Sequence, residues 1–123
     1  MNNFKFYLII VLISLSSCNP FNSSKHLVGR FYLKHNESGK SISYKVDDNG
    51  DYVELIKGAF GRIGFDDNYI IVENSDYEYS IIRVKKEFDY FPEKGILGPF
   101  SLREFNTQKQ KLGITTDFTI DTN

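Results

Sequence analysis

The chain has 123 residues, 41% of them hydrophobic and 25% charged, with a formal net charge of −1. That length fits one domain, and the composition is too apolar for a wholly disordered chain. The near-zero charge argues against nucleic acid as a partner, which needs a surplus of Lys and Arg on one face, and a single cysteine excludes a disulfide scaffold.

The N-terminus carries the first organised signal. Lys5 and the terminal amine precede FYLIIVLISL, an almost unbroken apolar run from Phe6 to Leu15. A membrane-spanning helix needs about 20 apolar residues, so the run is too short to span. Positive charge, a short apolar core and the small residues Ser16 and Ser17 describe a secretory signal peptide over residues 1–17. The only cysteine, Cys18, follows directly. Leu15-Ser16-Ser17-Cys18 resembles the bacterial lipobox, which implies cleavage between Ser17 and Cys18 and a diacylglyceryl group on the Cys18 thiol. Stable anchoring needs more than one acyl chain, at about 0.8 kcal/mol per buried CH₂.

Residues 18–26 then read as the lipidated cysteine and a polar tether, with NPFNSSKH rich in turn formers. By the sorting rule that such signals imply, Asn19 rather than Asp favours the outer membrane. No acidic export cluster follows, so a periplasm-facing position is expected. The partner of the N-terminus is thus a membrane, through lipid. The globular domain is expected over residues 27–114, with 115–123 as a flexible tail or a short edge strand.

Within the domain, Leu27 to Lys34 reads as a first strand. SISYKVDDNGDYVELI reads as a hairpin, because Asn49-Gly50 suits a two-residue type I′ turn. That turn pairs Val46 with Val53, Tyr44 with Leu55 and Lys45 with Glu54. A second hairpin turns at Asp67-Asn68, pairing Phe65 with Ile70, Ile63 with Val72 and Arg62 with Glu73. Tyr79 to Val84 is a further strand. The doublets Ile70-Ile71 and Ile81-Ile82 put apolar groups on both faces, which predicts central strands covered on two sides.

The C-terminal part changes period. Ser101 and Glu104 form a capping box, Phe100 and Phe105 a hydrophobic staple, and Gly113 fits the position after a helix end. One helix is predicted from Leu102 to Leu112, with Leu102, Phe105 and Leu112 as the apolar stripe that packs on the sheet. The fold class is therefore α+β, mainly β: a meander of hairpins in a small antiparallel sheet of about five to seven strands, with one C-terminal helix packed on it.

The phrases FYLKHNESGKSISYKV, FGRIGFDDNYIIVEN, YSIIRV and GPFSLREFNTQKQKLGI, taken in order, resemble a family of small bacterial lipoproteins that contain a domain of unknown function. The resemblance covers Val28 to Ile114, and the closing helix phrase is its most specific part. It implies the same fold and location, and no catalytic residue comes with it.

Candidate chemistry is sparse. Asp47-Asp48-Asn49-Gly50-Asp51 suggests a calcium loop, but an EF-hand counted from Asp47 needs Gly where Tyr52 stands and Glu where Gly58 stands. His26 and His35 have no cysteine ligand beside them, since Cys18 is expected to be lipidated, so no zinc site is expected. No nucleophile elbow or phosphate loop occurs, and Glu73 with Asp76 is the sort of carboxylate pair a glycosidase would need around a cleft. No catalytic residue, metal or cofactor is therefore expected.

Phe88, Tyr90 and Phe91 stand in a turn-rich segment ending at Gly95. They suit contact with a protein partner, or else cover one end of the core. The absence of Trp weakens a sugar-stacking role. The leading expectation is a membrane-anchored envelope lipoprotein, non-enzymatic, acting through contacts with an envelope protein. The alternatives are an inhibitor or immunity-type lipoprotein acting on an envelope enzyme or toxin, and a small hydrolase.

Overall fold

The structure, a computed structural model, describes residues 23–37, 39–58, 60–74 and 77–122. The signal segment, Ser17, Cys18, Asn19 and Asp76 lie outside the described residues. Two antiparallel sheets and one α-helix make up the described chain.

The first sheet is a meander of four strands: β1 (Ser23–Val28), β2 (Phe31–Asn36), β3 (Gly39–Lys45) and β4 (Tyr52–Lys57). The expected first strand, Leu27 to Lys34, is in fact divided between β1 and β2. Gly29 takes φ 57°, a left-handed conformation that glycine adopts without a Cβ penalty, and the chain reverses there. LVGRFYLK is apolar on both sides of this glycine, so the pattern alone does not reveal the turn. β1 starts at Ser23, so Ser23–His26 belong to a strand paired with β2 and not to a free tether.

The β3–β4 hairpin forms, but its register is two residues from expectation. Lys45 lies opposite Tyr52, Tyr44 opposite Val53 and Ser43 opposite Glu54, in place of Lys45 with Glu54, Tyr44 with Leu55 and Val46 with Val53. The cause lies in the loop. Asp47 Oδ1 accepts from the backbone N–H of Asn49 (2.9 Å) and of Asp51 (3.1 Å), while Val46 N–H donates to Asp51 O (3.0 Å). The carboxylate therefore closes a four-residue loop. Asn49 does not take the positive φ that a type I′ turn demands at its first central position. A bulge between Ile42 and Ser43 shifts the rest of the ladder by one residue.

The second sheet has the order β8-β7-β6-β5-β9. Its strands are β5 (Phe60–Phe65), β6 (Tyr69–Asn74), β7 (Tyr79–Arg83), β8 (Ile96–Phe100) and β9 (Ile120–Asp121). Here the expected register holds: Phe65 lies opposite Ile70 and Ile63 opposite Val72. Asp66 Oδ1 accepts from the N–H groups of Asn68 and Tyr69 (both 2.8 Å), and neither Asp67 nor Asn68 takes a positive φ, so the side chain closes the turn in place of left-handed backbone. Arg62 grips Glu73 with two bonds, Nε to Oε1 at 3.2 Å and a terminal nitrogen to Oε2 at 2.6 Å.

β6 and β7 are central and buried on both faces. Ile70 and Ile82 face the first sheet, where they pack with Leu27, Phe31, Ile42, Tyr44, Phe60, Ile63 and Val72. Ile71 and Ile81 face the other way, against Tyr79, Phe105 and Ile114. The four isoleucines of the two doublets are fully buried. The molecule thus has three layers: first sheet, second sheet, helix.

Helix α1 (Leu102–Leu112) has the predicted bounds. Ser101 Oγ accepts from Glu104 N–H (3.2 Å), and Gly113 ends the helix in the left-handed region at φ 69°. The second half of the capping box differs: the Glu104 carboxylate accepts from Ser101 Oγ (3.0 Å). Phe105 is the anchor. Its ring stacks on Tyr79 at 4.8 Å and lies 6.1 Å from Phe118. Leu102, expected on the packed stripe, is 54% exposed and takes no part in the cluster that Phe105 and Leu112 join.

The tail is an edge strand. Thr119 and Thr122 donate their N–H groups to Ile63 O and Gly61 O (both 2.9 Å), and Lys40 Nζ reaches Thr122 O at 2.9 Å. At Gly64 the tail crosses so closely that an added Cβ would meet Asp117 O at 2.1 Å, so no larger residue fits there without moving the crossing.

Phe105→Ala is expected to lower the unfolding free energy by about 3–5 kcal/mol through the cavity it leaves. Leu102→Ala, at an exposed site, is expected to cost under about 0.5 kcal/mol. Urea denaturation of both variants measures the contrast.

Candidate functional site

The strands run between two ends of the molecule. One end holds Ser23, the β2–β3 connection and the start of β5. The other holds the Gly29-Arg30 turn, the Asp47–Gly50 loop, the Asp67-Asn68 turn and the segment between β7 and β8. Three exposed aromatic residues, Phe88, Tyr90 and Phe91, lie at this second end, and a fourth, Tyr77, lies in the β6–β7 connection at the first.

Their placement follows from contacts distant in sequence. After β7 the chain leaves the second sheet and crosses to the end of the first. Phe88 meets the buried ring of Tyr44 edge-on at 5.8 Å, and the Arg30 guanidinium lies 4.9 Å from its centre. Asp89 N–H donates to the Tyr44 hydroxyl (2.9 Å), and Asp89 Oδ1 accepts from Phe91 N–H (3.0 Å). A 3₁₀ turn, Pro92–Gly95, follows, with Lys94 N–H donating to Phe91 O (3.0 Å). The proline, with φ already fixed, is at home at the start of that turn.

The segment is therefore fixed at Phe88 and Asp89 and open beyond them. Phe88 is 38% exposed and closes the end of the core beside Tyr44. Tyr90 (81%) and Phe91 (57%) point outward, with Tyr90 edge-on to Phe88 at 5.0 Å and Lys94 Nζ 4.6 Å from the Phe91 ring. Of the trio, Phe88 covers one end of the core, and Tyr90 and Phe91 stand outside it. Phe88 and Tyr90 are in ring contact, and a cation lies over Phe88 (Arg30) and over Phe91 (Lys94), so exposed apolar surface and positive charge adjoin in this segment. The rings were legible from composition. The supports, Tyr44 and Arg30, were not, because each lies more than forty residues away in sequence.

The remaining candidates are accounted for in place. His26 Nε2 lies 2.8 Å from Gly29 O, and its ring lies 5.0 Å from Tyr32. His35 lies opposite Ser23 and Lys40 in the first sheet. Among the described residues, no group of three or more His, Cys, Asp or Glu could hold a metal ion. In the Asp47–Asp51 loop, the backbone N–H of Asp51 holds the Asp47 carboxyl below its ordinary value, while hydrogen bonding to Asp47 raises that of Asp51. This is loop closure chemistry, with both groups exposed. Glu73 is held low by hydrogen bonding to Arg62, which also keeps it engaged. The buried hydroxyls of Ser41 and Ser43 bond each other at 2.8 Å beneath the outer face of the first sheet, where Tyr32 and Tyr52 meet edge-on at 5.5 Å.

No protein-family model matches the chain, and no curated protein and no solved structure matches it. Among the described residues, no helix is long and apolar enough to cross a membrane.

The Tyr44 hydroxyl ties the aromatic segment to the first sheet through a side chain of the core. Tyr44→Phe is expected to cost about 1 kcal/mol of stability, the typical net value of such a bond. Hydrogen exchange at the Asp89 amide is expected to quicken in the variant while the amides of β6 and β7 keep their ranking.

Proposed function

We propose that the chain is a lipid-anchored lipoprotein of a bacterial cell envelope, and that it acts without catalysis, through contact between its aromatic end and an envelope protein. The N-terminal order supports the anchor: Lys5, the largely apolar run Phe6 to Ser14, then Leu15-Ser16-Ser17-Cys18. Asn19 after the cysteine favours the outer membrane, with the domain facing the periplasm.

One observation carries the interaction half of this reading: Tyr90 and Phe91 lie exposed at the end of the molecule opposite to Ser23. Ser23 stands five residues after Cys18. From there β1 runs six residues to the Gly29-Arg30 turn, a span of about 20 Å at about 3.3 Å per residue. Phe88 packs at that far end, under Arg30. A domain tied to a membrane near Ser23 therefore turns its aromatic patch away from the lipid and towards soluble or facing partners. Aromatic side chains supply large contact area at low entropic cost, which suits them as binding anchors.

The test uses the full chain in cells. Wild type is expected to incorporate labelled palmitate and to fractionate with membranes, and Cys18→Ala to do neither. A photocrosslinking residue in place of Tyr90 is expected to trap one discrete protein. The same residue at Glu54 is expected to trap none, and Phe91→Ala is expected to abolish the Tyr90 adduct. Membrane retention of Cys18→Ala with no acyl label on wild type overturns the anchor, and an adduct indifferent to Phe91→Ala overturns the contact.

A further inference from the structure

Beside the aromatic end, on the helix side of the second sheet, lies an open depression of about 510 Å³ lined by Asn68, Tyr69, Arg83, Val84, Lys85 and Leu112. We propose that this depression binds a small organic carboxylate that carries an apolar stem. The proposal does not rest on the lipoprotein reading.

The walls are fixed by the fold. Tyr69 and Arg83 lie opposite each other in the β6–β7 ladder. Val84 N–H donates to Asn68 O (2.8 Å), which holds the turn against the end of β7. Leu112, the last residue of α1, closes the far side.

The chemistry is one-signed. The lining has two cations and no carboxylate. Two of the chain's four arginines have their guanidinium groups engaged elsewhere: Arg62 with Glu73, and Arg30 with Lys45 O (3.1 Å) and the Phe88 ring. Arg83 makes no hydrogen bond or ion pair through its side chain to any described residue. Its five N–H donors form a planar fork that fits a carboxylate with two parallel bonds. Lys85 Nζ, on an exposed side chain, is 3.8 Å from Oδ1 of the largely covered Asp89, a long contact that leaves the ammonium open to a second anion in the depression. The negative end of α1 lies at this rim. It is offset, because Gly113 and Ile114 N–H groups take the Gln110 and Lys109 carbonyls and because Lys109 and Lys111 stand in the last turn.

The apolar part of the ligand follows from the other wall. Val84 and Leu112 offer hydrocarbon surface next to the cations, and the volume lies in the range of small-molecule sites. A bare inorganic anion would leave that surface wet, whereas a carboxylate on a short alkyl or aryl stem covers it.

The experiment is calorimetric titration of the full chain, kept in solution by a non-ionic detergent, with sodium hexanoate; the detergent solution alone serves as the blank. Saturable one-site binding is expected. Arg83→Gln is expected to weaken it at least tenfold, while Arg103→Gln, which removes the same charge from the first turn of α1, leaves it unchanged. Hexan-1-ol and inorganic phosphate are expected to bind at least tenfold more weakly than hexanoate. Unsaturable heats, equal losses in the two arginine variants, or phosphate binding as tightly as hexanoate would each overturn the proposal. Circular dichroism of both variants establishes that they are folded, since both side chains are exposed.

Discussion

The structure depends on burial of the second sheet from both sides. Ile70 with Ile82 and Ile71 with Ile81 are cross-strand pairs on opposite faces of one ladder, and all four side chains are fully buried. A sheet that is apolar on both faces cannot leave either face in water, so the chain must supply two covers. The first sheet is one cover, made from the residues before β5. The helix and the returning tail are the other, made from the residues after β8. The order of elements along the chain is thus the order of a three-layer stack: cover, centre, cover.

That arrangement decides where function can sit. Both faces of the central β6–β7 ladder are committed to packing, while β1 and β4 keep exposed residues along the outside of the first sheet. The aromatic segment and the depression lie at the strand ends. One end receives the chain at Ser23, and there Lys40 ties Thr122 and Phe60 together across the two sheets. At the other end the segment after β7 cannot continue as a strand and crosses to Tyr44, carrying Phe88 into the core edge and leaving Tyr90 and Phe91 outside. The depression by Arg83 belongs to the same end, because β7 stops at Arg83 and α1 stops at Leu112 beside it. The aromatic patch and the cationic hollow are both consequences of elements of unequal length meeting at one rim.

Much of this was legible in the sequence where the determinant was local. The bounds of α1 follow from Ser101, Glu104 and Gly113, each of which acts on backbone groups within four residues. The Asp66 turn and its register follow from hydrophobic alternation on both arms. Legibility failed where two local rules competed or where the contact was distant. Asn49-Gly50 is a strong turn signal, yet Asp47 two residues earlier offers the backbone a side-chain acceptor and closes a longer loop. Gly29 is hidden among apolar neighbours, and β9, with two residues, is too short for any periodicity to register. These additions raise the described strands to nine, above the expected five to seven, within the expected mainly β class. For the site, the aromatic residues were visible, but Tyr44, Arg30, Arg83 and Leu112 join it only through the tertiary fold.

The arrangement is polar: β1 begins at Ser23 at one end of the domain, and Tyr90 and Phe91 stand exposed at the other. Depth measurement on the acylated full chain in vesicles tests it most directly. Spin labels at Ser24 and at Tyr90 are read by power saturation against a lipid-bound relaxation agent. The account predicts strong relaxation at position 24 and none above the aqueous background at position 90. Equal relaxation at the two positions, or stronger relaxation at 90, would contradict it and would make the aromatic end a membrane contact.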